Sequence, residues 1–443
     1  MDPMNQKSQL IDLPVELLFL IFRQAHSDCL RPQSRIYSIL RLVCRALERL
    51  ATQLLFESFT VNISPSTSSG SLGALHTIFE NHGHHVRTLT IRNTISPRLN
   101  VEKQPISQNA QHIIARGFLF CTHIRSLICL GSHGMFSSRG WISLRVPATL
   151  TSLTFMPNKG STDLSYCLLA IRDSLRSLEI ISWRPQHDNP SPFHLPSSLP
   201  HLTDLTLTGC YPPSPHIKKL FSRIITSSPQ DMTPAVPLRS LTVRRLIPQT
   251  TPSIVRSPGL LADIVSILAT RQFGSYLRTL YIYPPKVNDM DATIPTALLR
   301  LCPNLVEFTY HCEHVDENVL SSLPSTLAVL ELSVWPYATA PKDVASRTNI
   351  LSPNFLAHWL CDGPRRKRSA SGLRRVKVAT SPMDLFTMLD ILEGGTYWGV
   401  SHPSIDIRLE GDSCRWEWGG RLDDRGYFDA ALAQVFPGGT CMV

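Results

Sequence analysis

Leu202-Thr203-Asp204-Leu205-Thr206-Leu207 carries leucine at its first, fourth and sixth places, with polar residues between. An apolar-polar period of two marks a strand with one buried face. The same six-residue spacing recurs as Val86-Leu89-Ile91, Ile124-Leu127-Cys129, Leu150-Leu153-Phe155, Leu175-Leu178-Ile180, Leu238-Leu241-Val243, Leu277-Leu280-Ile282, Leu305-Phe308-Tyr310, Leu327-Leu330-Leu332 and Leu373-Val376-Val378. Ten copies exceed what 43% hydrophobic residues would scatter by chance, so the chain is an array of repeats.

Helix-like stretches at 164–173, 261–269, 297–302, 319–323 and 355–361 fall between copies. Alternating strands and helices predict an α/β fold with parallel strands and helices outside. Each strand-helix unit buries its apolar face against its neighbours, which gives a curved solenoid without a closed core. Residues between the apolar places then line the concave side as one column: Thr90, Thr154, Glu179, Thr206, Thr242, Tyr281, Thr309, Glu331 and Lys377. From Thr154 to Lys377 these residues are the expected binding surface for a protein substrate.

Upstream, Asp12 is placed to cap a helix that Pro14 tolerates in its first turn, and Leu13, Leu17, Leu20, Ile21 and Ala25 recur at three and four. After the turn signal Arg31-Pro32-Gln33-Ser34, a second stripe runs Ile36, Leu40, Val43, Leu47, Leu50 and Leu54. So few helices make a thin core, and a partner covering the remaining apolar surface would stabilise them.

Leu13-Pro14-Val15-Glu16-Leu17, Ile21-Phe22, Leu42-Val43-Cys44-Arg45, Leu50-Ala51 and Leu54-Leu55-Phe56-Glu57 together resemble the F-box, in the form common among fungal F-box proteins. The likeness covers about residues 10 to 60. It implies docking on a Skp-type adaptor, and through it on cullin and RING subunits, with contacts from Leu13, Pro14, Leu17, Ile21, Val43, Cys44 and Leu47. Where many F-boxes place tryptophan, this chain has Ala46-Leu47.

The array is similar to leucine-rich-repeat proteins, which often follow an F-box and present substrates on the concave face. The family's asparagine or cysteine, three places after the sixth position, is matched by Cys210, while Trp183, Pro285, Glu313 and Trp335 stand there elsewhere. Repeat lengths vary, from 25 residues between Leu153 and Leu178 to 46 between Leu330 and Val376. The expected organisation is an all-helical module at 10–60, a connecting segment with a first helix at 61–85, an irregular solenoid at 86–380 and a C-terminal cap at 381–443. The cap would hold a helix at 384–392, a strand at 405–409 and the aromatics Trp416, Trp418 and Phe428 beside Gly419-Gly420. Loops are expected at 93–107, 131–140, 183–198, 212–215, 227–237, 248–257 and 363–372, all rich in proline, serine, threonine or glycine.

Catalytic and cofactor motifs are lacking. No GxGxxG, GxSxG or HExxH occurs, and Asn158-Lys159-Gly160-Ser161-Thr162 has lysine before glycine, the reverse of a phosphate loop. His82, His84 and His85, and likewise His311-Cys312-Glu313-His314, offer ligand atoms without a second pair at finger spacing, so no metal and no cofactor is expected. Asp423-Asp424 lies beside Arg421 and Arg425 and reads as a solvated turn. Eleven cysteines without framework spacing, several inside apolar runs (Cys44, Cys121, Cys129, Cys167), predict reduced, buried thiols.

No membrane span or secretory leader is expected, which places the chain in the cytoplasm, the nucleus or both. The formal charge of +9 is spread thinly, with one concentration at Arg365, Arg366, Lys367 and Arg368, then Arg374, Arg375 and Lys377, so a nucleic-acid partner is not expected. That run reads as a solvated loop ahead of a localisation signal or a contact to an acidic degron. The expected function is non-catalytic: the F-box docks on the adaptor and the repeats hold a protein substrate for ubiquitin transfer. The alternative is a freestanding repeat scaffold whose N-terminal helices only cap the array.

Overall fold

A computed structural model describes residues 17–18, 20–21, 45–64, 67–93, 108–130, 147–156, 168–169, 171–181, 199–210, 214–225, 238–244, 259–270, 273–283, 293–311, 315–333, 351–352, 355–356, 358–359, 372–379, 404–410 and 413–418. Two compact units divide the chain: Met1–Arg176 with Ser191–Pro196, and Ser177–Pro190 with Ser197–Val443.

In the first unit, Leu17, Leu18, Leu20 and Ile21 are helical. Helix α1 (Arg45–Glu57) runs directly into strand β1 (Ser58–Ile63), followed by α2 (Ser69–His82), β2 (Thr88–Asn93), α3 (Gln108–Phe120), β3 (Ser126–Leu130) and β4 (Ser152–Phe155). The four strands pair in chain order, all parallel. Ser68 starts α2, its hydroxyl accepting from Ser71 N at 3.2 Å and so satisfying one amide that the first turn leaves open. Phe79, wholly buried on α2, meets Phe59 of β1 edge-on at 5.6 Å between ring centres. A Cβ at Gly117 of α3 would lie 2.5 Å from the Phe79 ring, so the missing side chain is what lets α3 close on α2.

Strand β1 lies ahead of the expected array, and the expected boundary at residue 60 falls inside it. Phe56, Phe59 and Val61 keep the first, fourth and sixth places, and Phe59 and Val61 stand beside Leu89 and Ile91 of the next copy. Phe56 closes α1 while opening this copy, so the helical run of leucines conceals the strand signal.

The second unit holds β5 (Ser177–Ile181), β6 (Asp204–Thr208), α4 (Ser214–Ile225), β7 (Ser240–Arg244), α5 (Gly259–Thr270), β8 (Thr279–Ile282), α6 (Ile294–Leu301), β9 (Glu307–Tyr310), α7 (Asn318–Ser321), β10 (Val329–Ser333), β11 (Arg375–Ala379), β12 (Ser404–Glu410) and β13 (Ser413–Trp418). Strands β5 to β11 pair in chain order, all parallel. Strands β12 and β13 continue antiparallel, and residues 411–412 alone join these two, the tight connection that an antiparallel pair allows. The fold is α/β, as the alternation predicts.

Every first, fourth and sixth residue of the ten copies is buried. Buried helix residues such as Ile114 and Phe118 on α3 or Leu298 and Leu299 on α6 supply the other wall of the core. Helices α5, α6 and α7 occupy the expected stretches, as do Leu168 and Leu169 and the helical residues at 355, 356, 358 and 359. Helices α3 and α4 are additional. Helix α4 begins at Ser214, so the loop expected at 212–215 gives way to helix, with Pro215 in a first turn where its missing N–H costs nothing. Likewise Asn93, expected to open a loop, ends β2. The strand expected at 405–409 is β12, and Trp416 and Trp418 lie in β13. The expected helix at 384–392, Phe428, Gly419-Gly420, Asn158-Lys159-Gly160-Ser161-Thr162 and Asp423-Asp424 lie outside the described residues.

Hydrogen bonds between successive turns satisfy carbonyls that helices and strands leave open. Ser174 Oγ donates to Leu150 O (2.6 Å), Asn304 Nδ2 to Ser275 O (2.7 Å) and Thr326 Oγ1 to Leu305 O (2.7 Å). Gly209 takes a left-handed φ of 60°, open to glycine, and bends the chain after β6. Beyond the bend the buried Cys210 thiol donates to Ile180 O at 3.1 Å. Cys121, Cys129, Cys210 and Cys302 are free and buried, and burial pushes the Cys121 and Cys302 thiols up to about 12. Cys44 and Cys167 lie outside the described residues.

Candidate functional site

The expected adaptor contacts and Thr154 lie in the first unit, and the other expected substrate-binding residues lie in the second. At the N-terminal helix Leu18 is 5% exposed and packs with Leu50, Ala51 and Leu54 of α1, with Leu55 at the margin. Its neighbours face the other way: Leu17 is 46% exposed, Leu20 59% and Ile21 42%. Residues 17, 20 and 21 share a helical face by their spacing of three and four, so the three side chains form one apolar ridge. Of the expected adaptor contacts, Leu17 and Ile21 stand on this ridge. Leu47 belongs to α1, while Leu13, Pro14, Val43 and Cys44 lie outside the described residues.

In the second unit the expected column is brought into register. Glu179, Thr206, Thr242, Tyr281, Thr309, Glu331 and Lys377 are successive partners across β5 to β11. In the first unit, Thr90, Ile128 and Thr154 form the equivalent row. Glu179, Thr206, Tyr281, Glu331, Lys377 and Thr154 are partly exposed. Thr242 and Thr309 are not: at 5% and 2% exposure they offer no surface to a partner. They flank Tyr281 in the row, and each is shielded beside that taller side chain although it sits on the polar face.

Around Tyr281 the side chains link across four strands, β8 to β11. Its hydroxyl donates to Glu307 on β9, and one step along the face Tyr283 stacks on His311, ring centres 4.7 Å apart. His311 Nε2 lies 2.8 Å from Glu331 Oε1, and Lys377 Nζ lies 3.8 Å from Glu331 Oε2. A carboxylate only accepts, so Nε2 carries a proton. The hydrogen bond from His311 holds the Glu331 carboxyl below its ordinary range, and the charges of His311, Lys377 and Arg375 add to it against the opposing effect of burial. Burial, the hydrogen bond to Glu307 and nearby carboxylates push the Tyr281 phenol up. Burial and the Glu331 charge raise Tyr283, partly offset by Arg244. Both phenols therefore stay protonated at neutral pH.

Aromatic rings, a planar imidazole and paired charges that are half-buried on a rigid sheet match the chemistry of interaction hot spots. The sequence reading missed Arg244, Tyr283 and Glu307; alternation put His311 on the concave side without making it a site residue, and Arg375 stood only in the basic concentration. The period of two was the available signal: Glu307 and His311 lie two residues either side of Thr309, and Tyr283 lies two beyond Tyr281.

Among the described residues no group of three His, Cys, Asp or Glu side chains is gathered to hold a metal ion, and no helix is long and apolar enough to cross a membrane. Arg365 to Arg368 lie outside the described residues. Compared with models of protein families the chain matches none, and among curated proteins no match is found.

Proposed function

We propose that the chain is the substrate-recognition subunit of a Skp-cullin-F-box type ubiquitin ligase. The observation that carries this reading is the apolar ridge Leu17, Leu20 and Ile21, left open while Leu18 between them anchors the helix on α1. A folded chain rarely exposes three large aliphatic side chains on one short helix unless a partner covers them. The F-box likeness of residues 10 to 60 names that partner as a Skp-type adaptor, with Leu13, Pro14, Leu17, Ile21, Val43, Cys44 and Leu47 as its contacts. In this reading the parallel strands of the second unit are leucine-rich repeats, and the polar face around Tyr281, Tyr283, His311, Glu331 and Lys377 holds the substrate protein.

The chain itself contributes no nucleophile. By tethering substrate lysines near a charged conjugating enzyme it replaces a bimolecular encounter by a high effective concentration. Co-expression with a Skp-type adaptor, followed by size-exclusion chromatography, tests the reading. Wild type co-elutes, and the triple substitution Leu13→Ala, Pro14→Ala, Val43→Ala elutes alone with an unchanged circular dichroism spectrum. A folded wild-type chain that elutes alone leaves a freestanding repeat scaffold and removes the ligase reading.

A further inference from the structure

Two residues beyond the fifth place of each copy, the seventh lies on the same polar face, at the C-terminal end of its strand. Across β6 to β9 this place holds Thr208, Arg244, Tyr283 and His311. Backbone bonds keep the four in register. Thr208 pairs with Arg244, Gly209 N donates to Arg244 O (2.8 Å), Tyr283 N to Val243 O (2.7 Å) and His311 N to Ile282 O (2.9 Å).

Two of the four have their polar groups committed. Thr208 Oγ1 donates to Glu179 Oε1 at 2.8 Å, and His311 Nε2 donates to Glu331 Oε1 at 2.8 Å. The other two stand on neighbouring strands with their donors open. Among the described residues neither the exposed Arg244 guanidinium nor the Tyr283 hydroxyl has a hydrogen-bond or ion-pair partner. The Tyr283 ring is nonetheless fixed, stacked on His311 at 4.7 Å, and His311 is in turn held by Glu331. Arg244 lies within electrostatic reach of the phenol, whose titration it draws down against burial and the Glu331 charge.

We propose that Arg244 and Tyr283 are the anchor of the substrate face and take one carboxylate, an Asp or Glu side chain of the bound protein. This anchor rests on the reading of the face as the substrate surface, and it names the chemistry that the face selects. A guanidinium grips a carboxylate through two parallel N–H donors, and the phenol adds a third to an anion with about four lone-pair sites. Both donors stand on strands about 4.8 Å apart, so the site is set before the ligand arrives.

Charge decides between a carboxylate and a phosphate. One open cation matches one negative charge. A phosphate dianion would bring a second charge between Glu179, held at Thr208, and Glu331, which Lys377 already faces. That second charge meets repulsion without a cation of its own.

The test is selection from a display library of random linear peptides on the full chain, each of about ten residues, long enough when extended to cross the face. Wild type enriches peptides that share an Asp or Glu at one position. Arg244→Gln abolishes that preference, and Tyr283→Phe, which keeps the ring and its stack, lowers it. In fluorescence anisotropy a selected peptide loses at least about tenfold in affinity when its acidic residue becomes the amide, and about as much on Arg244→Gln. The two losses do not add, because each removes the same contact. Should Arg244→Gln fail to fold, Arg244→Lys keeps the charge, loses the fork and weakens binding about threefold or more.

No acidic preference in wild type, a preference that survives in folded Arg244→Gln, additive losses, or a phosphoserine peptide bound more than about threefold tighter overturns the proposal. Thr206→Trp, a steric block on the same face, separates this proposal from the reading beneath it. Selected peptides lost on Thr206→Trp but kept on Arg244→Gln leave a substrate face without this anchor. Peptides indifferent to both variants, or no enrichment by folded wild type, remove the anchor and the substrate reading of the face together.

Discussion

His311, the residue after β9, and Glu331 on β10 share a hydrogen bond of 2.8 Å, and Glu331 thereby joins a row that continues to Lys377 on β11. One carboxylate accepts from an imidazole on one side and faces an ammonium on the other. Its charge is thus held by neighbours on two different strands, which fixes the geometry of the polar face beside the Tyr283 ring.

A pH dependence follows from that arrangement. The folded pKa of Glu331 lies below its ordinary value of 4.5, so its charged form contributes stability that is present above that value and lost as pH falls through the folded pKa. Glu331→Gln keeps the shape and removes the charge. Urea denaturation should show wild type more stable than the variant by about 1 kcal/mol near pH 6.5, with the difference fading below about pH 4. A difference that persists unchanged at about pH 3 contradicts the assignment.

Two helix glycines should respond in opposite directions. A Cβ at Gly73 of α2 meets nothing within 4 Å, so Gly73→Ala should stabilise by about 0.5–1 kcal/mol through helix propensity alone. At Gly117 the new Cβ would lie 2.5 Å from the fully buried Phe79 ring, and the overpacking should outweigh propensity, destabilising by about 1–3 kcal/mol. Chemical denaturation of both variants checks the pair, and a stabilised Gly117→Ala would contradict the close approach of α3 to α2.

Cys121, Cys129, Cys210 and Cys302 should resist alkylation in the folded chain. All four are buried, and the Cys121 and Cys302 thiols are pushed up to about 12, which leaves almost no thiolate at neutral pH. Iodoacetamide labelling read by mass spectrometry should modify them only after denaturant is added. Rapid modification of any of the four in the native chain would show that its surroundings open.

Neighbouring leucines on the N-terminal helix should separate stability from binding. Leu18→Ala empties a buried site against Leu50, Ala51 and Leu54 and should cost about 2–4 kcal/mol in the packing of the helix on α1. Leu17→Ala trims an exposed side chain and should change stability by less than about 0.5 kcal/mol. Hydrogen exchange of the α1 amides distinguishes the two, with faster exchange in Leu18→Ala alone.

Much of this fold was legible because burial follows the first, fourth and sixth places, and one period of two then fixes which side chains share the opposite face. Register came with it, as Glu179 to Lys377 fall in one row. What alternation does not encode is height, so the burial of Thr242 and Thr309 beside Tyr281 depends on neighbours from other strands. Nor does it encode lateral links, such as Tyr281 to Glu307 or His311 to Glu331, which join residues 26 and 20 positions apart. The strand after Phe56 escaped notice because the same residues continue a helical stripe, and α3 because Ala110, Ile114, Gly117 and Phe118 make a face that includes a glycine.

The central claim is that the ridge of Leu17 and Ile21 is a docking surface for a Skp-type adaptor, and calorimetric titration of purified adaptor into the full chain tests it most directly. Wild type should bind, and Leu17→Asp with Ile21→Asp should weaken binding at least about a hundredfold, roughly 2.7 kcal/mol, while the melting temperature stays put. Equal binding by wild type and the folded double variant, or none by wild type, would contradict the account.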